Sequence, residues 1–293
     1  MIVIIPTCNR PELIKRTLDS LSEVIKPDCY SGTIVIENGS KNGVEELVKS
    51  YNEKLNFSYM FTEQANKSHA MNVVLKEITD TAIFFSDDDV IYDKNLLTEY
   101  AEAVKDIDSG VFCGGPVEAD YELEPSDFLK KYLPMSATGT NWPDDMSEVD
   151  KPIFLGSNWL AFANDLKVAG GFDSDLGPGT TSNSTGDETD MQRRLMRNVI
   201  KGRYVPGAIV KHFVPEERCS PEWAVDRRSR VGAAYALINK SSKYELFMMR
   251  IKTVLFMIFR KFPFISYETK FKLDCSISYL KGRLNVKRSK KEK

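Results

Sequence analysis

Ile83-Phe84-Phe85-Ser86-Asp87-Asp88-Asp89-Val90 decides how the chain is read. Its first half is an apolar run with aromatics, the pattern of a buried strand. Its second half places three carboxylates in succession. Like charges a few ångströms apart repel, so such a triplet is costly unless something offsets it. Side chains alternate sides at a strand end. Asp87 and Asp89 are therefore expected to project together, with Asp88 the other way. Two hard oxygen ligands on one side suit Mg2+ or Mn2+. The bland alternative is a solvated acidic turn, and the rest of the chain weighs against it.

Upstream of this stretch, strands and helices alternate. Ile2-Val3-Ile4-Ile5 is β-branched and apolar, a first buried strand. Pro6 to Pro11 is a loop, and Pro11 opens a helix with Leu13, Ile14, Leu18 and Leu21 on one face. Thr33 to Ile36 is a second strand, ending in Glu37-Asn38-Gly39-Ser40 and followed by a helix over about 43–54. Phe57 to Phe61 is a third, and Asn66 to Asn72 leads into a helix reaching about Ile78. The alternation predicts an α/β fold with a mostly parallel sheet and helices on both faces. Ligands of such sheets bind beyond the carboxyl ends of the strands. Three polar turns stand there: Thr7 to Arg10, Glu37 to Ser40, and Asp87 to Asp89. Neither Gly-x-x-x-x-Gly-Lys nor Gly-x-Gly-x-x-Gly occurs. A phosphate bound here would need a metal and a few cations, with Arg10 and Lys67 as candidates.

Downstream, a helix is expected over about 94–105, and Val111 to Glu118 reads as strand, turn, strand. Residues 120–150 are irregular, with Tyr121, Pro125, Trp142 and Pro143. Trp159, between apolar neighbours, is expected in the core. Residues 170–186 end in a small, polar, glycine-rich run, expected to be a mobile loop. It delivers Asp187-Glu188-Thr189-Asp190 to a helix start. Capping and the helix dipole account for acids there. They do not account for the glycine-rich approach, which would let a catalytic carboxylate move over a substrate. Arg203 to Val205 and Ala208 to Val210 read as short strands, with His212 right after them. A histidine at a strand end beside a divalent cation is a candidate ligand.

The chain of 293 residues can form one large domain or two. Its five cysteines are odd in number and form no Cys-x-x-Cys pair, which points to reduced thiols in a cytosolic setting. Met1 to Pro6 is too short, and lacks the basic start, to be a signal peptide. No apolar run approaches the ~20 residues that span a bilayer. Residues 243–293 carry 14 Lys+Arg and 4 Asp+Glu; the chain total of 40 against 42 leaves 26 against 38 for residues 1–242. An acidic body with a basic tail suggests that the tail meets an anionic surface. Leu246 to Phe259 is rich in Phe, Met, Val, Leu and Ile, interrupted by Arg250 and Lys252 and closed by Arg260 and Lys261. That suits a helix lying in a membrane interface. Its rival is a C-terminal helix packed on the body, with a solvated basic tail. A nucleic-acid partner is not expected, because the acidic body would repel phosphates.

Over roughly residues 1–240 these motifs, in this order, resemble the inverting glycosyltransferases of family 2, with the GT-A fold. Ile4-Ile5-Pro6-Thr7-Cys8-Asn9-Arg10 is similar to the family's first strand and nucleotide loop, and Glu37-Asn38-Gly39-Ser40 to its uracil-holding turn. Asn66 to Asn72 resembles its Asn-x-Gly…Ala-x-Asn segment, with Ser68 where glycine is usual. Asp87-Asp88-Asp89 resembles Asp-x-Asp, and Gly156-Ser157-Asn158 the segment lining the sugar and acceptor pocket. Gly171-Phe172-Asp173 and Gly186-Asp187-Glu188-Thr189-Asp190…Arg194-Leu195 resemble Gly-Gly-Phe-Asp and Gly-Glu-Asp-x-Asp…Arg-Leu. The acidic pair is inverted: alignment puts the base on Glu188, side-chain type on Asp187.

The resemblance implies a nucleotide-sugar site of Pro6, Thr7, Asn9, Arg10, Glu37, Asn38, Lys67, Asp87, Asp88 and Asn158. It implies Mn2+ or Mg2+ on Asp87, Asp89 and His212, and a base at Glu188 or Asp187. The implied domain is 1–242, with a nucleotide-sugar half (about 1–115) and an acceptor half (about 116–242). A basic amphipathic extension, 243–293, follows. The implied reaction moves a sugar from a nucleotide donor, UDP favoured, to a hydroxyl of a glycan or lipid-linked acceptor in cell-surface polysaccharide synthesis. The implied place is the cytoplasm, peripheral on the inner membrane face. Two rivals stay open: a metal-dependent nucleotidyltransferase, and a non-catalytic sugar or cation binding module.

Overall fold

Val3, Ile5 and Phe84 face one layer of the core, and Ile4, Ile83 and Phe85 face the other. Strands buried on both faces need continuous apolar runs, which is why these segments show no polar alternation. The computed structural model describes residues 1–51, 56–140, 142 and 147–286. The first half contains β1 (Ile2–Thr7), α1 (Pro11–Glu23), β2 (Gly32–Asn38), α2 (Val44–Ser50), β3 (Phe57–Thr62), α3 (Lys67–Glu77) and β4 (Ala82–Phe85). Next come β5 (Val90–Tyr92), α4 (Leu96–Ala103), β6 (Val111–Gly114), β7 (Val117–Tyr121), and the single turns α5 (Asp127–Lys130) and α6 (Met135–Thr138). Then follow β8 (Glu148–Val149), β9 (Trp159–Phe162), α7 (Ala163–Val168), α8 (Asp187–Arg197), β10 (Lys201–Tyr204) and β11 (Val210–Val214). The chain closes with α9 (Pro221–Ile238), α10 (Lys243–Arg260) and α11 (Tyr267–Asn285).

The main sheet has the order β3-β2-β1-β4-β9-β6-β10-β8. β9 is antiparallel to both neighbours and β8 to β10, while the other pairs are parallel. Helices α1, α2 and α4 cover one face, and α3, α7 and α8 the other. The expected α/β architecture, mostly parallel and flanked by helices, is what the chain adopts. Trp159 is buried and stacks on Phe85 at 4.7 Å.

Val111 to Glu118 is strand, turn and strand as expected, but the two strands do not pair. β6 stays in the main sheet, and β7 joins a second sheet of order β5-β11-β7. Gly115 sits where the chain changes sheets, and a Cβ there would lie 2.0 Å from the Ala208 carbonyl oxygen. Residues 52–55, Pro143 and the end of the basic tail, 287–293, lie outside the described residues.

The C-terminal helices split into a buried and an exposed partner. Phe271 and Cys275 of α11 share a core with Ala224 of α9 and Leu129 of α5. The two long helices approach closely: a Cβ on Gly282 would meet the Ser229 carbonyl oxygen at 2.0 Å. Gly→Ala within a helix ordinarily gains about 1 kcal/mol. Here the added methyl meets backbone, and overpacking costs about 1–3 kcal/mol. Gly282→Ala is therefore expected to lower the midpoint of thermal unfolding, and a raised midpoint would contradict this packing. α10 starts with a Ser242–Glu245 capping box and buries only Met249 and Thr253. Phe247, Val254, Leu255, Ile258 and Phe259 stand exposed on it, Leu255 by 57%. No helix among the described residues is long and apolar enough to cross a membrane.

Candidate active site

The carboxyl ends of β2, β1 and β4 lie side by side, so Glu37-Asn38, Thr7 and the Asp87–Asp89 turn converge. The Asn38 amide donates to the Thr7 carbonyl at 2.9 Å, and Thr7 Oγ1 donates to Asp88 Oδ2 at 2.6 Å. Pro6 lies within β1 beside Ile36, and Asn9 takes positive φ in the loop after it. The Glu37 carboxylate is buried, accepting from the Asn42 backbone N–H at 2.8 Å and the Tyr59 hydroxyl at 2.6 Å.

The three aspartates part as the alternation predicts. Asp88 turns to Thr7 and Arg10, while Asp87 and Asp89 come together with His212. One ligand atom from each of these three lies within 4.8 Å of the others. Strand register explains the meeting. His212 pairs with Val90 across β11 and β5, and Phe213 N donates to the Asp89 carbonyl at 2.8 Å. His212 thus sits inside β11 rather than after a strand, a correction to its sequence placement. The strand runs on because Phe213 and Val214 continue the pairing with β7.

Charge balance at these groups is tight. Arg10 bridges Asp88 and Asp89, with Nη1 donating to Asp89 Oδ2 at 2.9 Å. Lys67 donates to Asp87. Burial pushes the Asp88 carboxyl up to about 7, helped by Asp89 and opposed by Arg10 and Thr7. Burial would raise Asp89 as well, but His212, Arg10 and Arg218 hold it well below the usual carboxylate range. Burial also opposes charge on His212, yet Asp89 and Asp87 outweigh it and the imidazole is raised. Asp89 Oδ1 and His212 Nδ1 are buried without a hydrogen-bond partner. Buried polar atoms are seldom left so. Two carboxylates and an imidazole, with one unmet atom each on Asp89 and His212, fit Mn2+ or a similar divalent ion.

Across from this group stands the start of α8. Asp187 is buried, and Glu188 is partly buried. A Cβ on Gly177, already at φ +95°, would come within 2.9 Å of Asp187 Cγ. Asp187 is thus held by the loop. Glu188 faces inward: a Cβ on Gly156 would lie 3.3 Å from Lys67 Nζ and 3.7 Å from Glu188 Cδ. Burial pushes Glu188 up to about 8, with Asp187 adding to the shift and Lys67 opposing it. Asp187 is packed against Gly177, and Glu188 lies beside Gly156 and Lys67.

The loop before α8, expected to be mobile, is tied to α3. Asn66 Nδ2 and Ser68 Oγ donate to the carbonyls of Ser174 and Leu176, and Lys67 N to that of Pro178. Leu176 is buried against Ala234 and Leu237. Positive φ at Gly177 and Gly179 folds the segment onto α3 rather than loosening it. Ser68, where the resembled family has glycine, contributes one of these bonds.

Asn158 needs a second correction. Its amide donates to the carbonyls of Pro116 and Ala208 at 2.8 and 2.7 Å, and its oxygen accepts from Tyr100 at 2.7 Å. The side chain is fully buried and spent on joining the two sheets, so it is not free to hold a sugar. Sequence reasoning missed Arg218 and Arg227. Arg218 Nη1 lies 3.8 Å from Asp89 Oδ2. The available signal was a run of arginines, 218 to 230, within an acidic body shortly after His212.

The family model of glycosyl transferase family 2 matches residues 2–156. The chain belongs to that family and is a glycosyltransferase. The poly(ribitol-phosphate) beta-N-acetylglucosaminyltransferase TarS of Staphylococcus aureus is 28% identical over 111 residues, 37% of this chain and 19% of TarS. The match thus spans less than a fifth of that relative. The mannosyltransferase PcManGT from Pyrobaculum calidifontis, in complex with GDP-Man and Mn2+, aligns with a TM-score of 0.58 at 18% identity. That alignment covers 95% of this chain and 72% of PcManGT. TarS 1–349 in complex with UDP-GlcNAc aligns at 0.56 and 16% identity, over 93% of this chain and 78% of the other. At such identities the likeness shows the fold, which is GT-A.

Proposed function

We propose that the chain moves a sugar from a nucleotide donor, UDP-linked, to a hydroxyl of a glycan or lipid-linked acceptor with inversion. The observation that carries this is the placing of Asp87, Asp89 and His212 opposite Glu188, with Lys67 and Gly156 between. Asp87, Asp89 and His212 hold Mn2+ or Mg2+, which when bound offsets charge on the departing diphosphate. Pro6, Thr7, Asn9, Glu37 and Asn38 line the nucleoside end, and Arg10, Lys67 and Asp88 the phosphate and sugar end. Glu188 takes the proton of the acceptor hydroxyl as its oxygen attacks the anomeric carbon. The bond from that carbon to the diphosphate oxygen breaks, and the nucleoside diphosphate leaves with the electron pair. Asp187, held against Gly177, positions Glu188. The TarS likeness supports a UDP-sugar donor and a role in cell-surface polysaccharide synthesis.

A panel of UDP-, GDP- and dTDP-sugars with Mn2+ tests the reading. UDP released from a UDP-sugar is the expected result. Pyrophosphate released from a nucleoside triphosphate would favour the nucleotidyltransferase, and metal binding without turnover a binding module.

Residues 1–242 then form the catalytic unit, and 243–293 seat it peripherally on the inner face of a membrane. The exposed apolar face of α10 supports this, with Arg250, Lys252, Arg260 and Lys261 around it. Basic residues near an anionic surface add about 1 kcal/mol each. Because α11 packs on α9, truncation at Ser242 would bare a core face. The better variant changes Phe247, Leu255 and Ile258 to Ser. It should lose co-sedimentation with vesicles containing anionic lipid, and equal sedimentation would contradict the seat.

A further inference from the structure

Arg227 is a cation of the site that keeps, among the described residues, an unmet hydrogen-bond donor. It stands on α9 two turns before Ala234, and so on the same helix face. Ala234 Cβ and Ile238 Cδ1 on that face lie 3.8 and 4.0 Å from where a Gly186 Cβ would be, against the start of α8. Arg227 therefore faces the helix end that carries Asp187 and Glu188, and both carboxylates act on its charge. Arg218 and Arg230 crowd it with like charge. The Trp223 ring centroid lies 5.9 Å from its guanidinium carbon. Its Nε is buried without a hydrogen-bond partner.

Arg230 is paired with Asp226 at 2.6 Å and Arg218 lies near Asp89, so Arg227 is the arginine of the three with an unmet donor. A guanidinium fork of that kind is suited to an oxygen-rich anion. Position decides which molecule carries that anion. Arg218 stands at Asp89, on the metal side of the cleft. Arg227 stands at Glu188, the side from which the attacking hydroxyl loses its proton.

We propose that Arg227 grips a phosphate group of the acceptor next to the hydroxyl that Glu188 deprotonates. The inference rests on the proposed transfer reaction and names its acceptor class: phosphate-bearing polyols or glycans rather than neutral sugars. The same fork could grip a phosphate of the donor, so the test carries both sources.

The full chain is titrated with glycerol 3-phosphate and with glycerol in EDTA, and separately with UDP in Mn2+, by calorimetry. Wild type should bind glycerol 3-phosphate and not glycerol. Arg227→Gln should weaken glycerol 3-phosphate by about ten- to a hundredfold, the worth of hydrogen bonds to a charged group. Arg227→Lys should recover part of that affinity. UDP affinity in Mn2+ should be the same in all three proteins. Equal affinity of wild type and Arg227→Gln for glycerol 3-phosphate overturns the anion site while UDP-sugar turnover leaves the transfer reading standing. Parallel loss of UDP affinity moves Arg227 to the donor and overturns the acceptor assignment. Wild type that fails to bind UDP with Mn2+ overturns the transfer reading, and this inference with it.

Discussion

Asp89→Asn should lower sugar transfer by about 10³-fold or more, since the electrostatic help of a divalent ion is worth several kcal/mol. Asp89 is the point where every element of the metal group meets. His212 Nε2 lies 3.3 Å from its Oδ1, and Arg10 and Arg218 reach its Oδ2. The amide keeps the shape, removes the charge and turns one ligand oxygen into a donor. EDTA should act on wild type as the substitution does. Folding should survive, because Asp88 still pairs with Arg10. Turnover near the wild-type rate, either in this variant or with EDTA present, would remove the metal from the mechanism.

Glu188→Gln should cost about 10² to 10⁴ in rate, the usual size of general-base catalysis. The pH profile gives an independent reading of the same residue. Glu188 is an acid raised to about 8, so its base form grows as pH rises through that value. The rate kcat/KM of wild type should therefore climb with pH up to about 8 and level off above. His212 is raised too, and its protonated form cannot ligate a metal, which also depresses the acid side. Saturating Mn2+ suppresses that second contribution. Under those conditions the climb should vanish in Glu188→Gln. Asp187→Asn should instead displace the midpoint downward, because Asp187 contributes to raising Glu188. A flat wild-type profile between pH 6 and 9, or an undiminished rate in Glu188→Gln, would show that another group takes the proton.

What the sequence shows well is whatever follows from local pattern. The doubly buried strands around Val3 and Phe84 announce themselves as unbroken apolar runs. The splaying of Asp87 and Asp89 from Asp88 follows from strand alternation alone. What it shows poorly depends on pairing between distant segments. His212 meets Asp89 because residue 212 registers with residue 90, and nothing local to either segment encodes that. Asn158 reads as a pocket residue in its Gly-Ser-Asn context. Only the arrival of Pro116, Ala208 and Tyr100 shows that its valence is already filled. Glycines in residues 170–186 read as looseness, whereas positive φ at Gly177 and Gly179 serves a tight fold onto α3. The arginines of residues 218–230 gain meaning only once α9 lies along the start of α8. The extension from residue 243 divides in the same way: its apolar content is plain, but only packing shows that α11 is covered and α10 is not.

Thermal unfolding of the full chain with UDP, in Mn2+ and then in EDTA, tests the central claim most directly. That claim is that Asp87, Asp89 and His212 hold a divalent ion against a nucleoside diphosphate at the carboxyl edge of the sheet. Saturating ligand stabilises by mass action, about 2.7 kcal/mol at a hundred times Kd. For a chain of this size that corresponds to a rise in Tm on the order of 5 °C. The expected result is such a rise with UDP and Mn2+ together, and little with UDP in EDTA. An equal rise in EDTA, or none in Mn2+, would contradict the account.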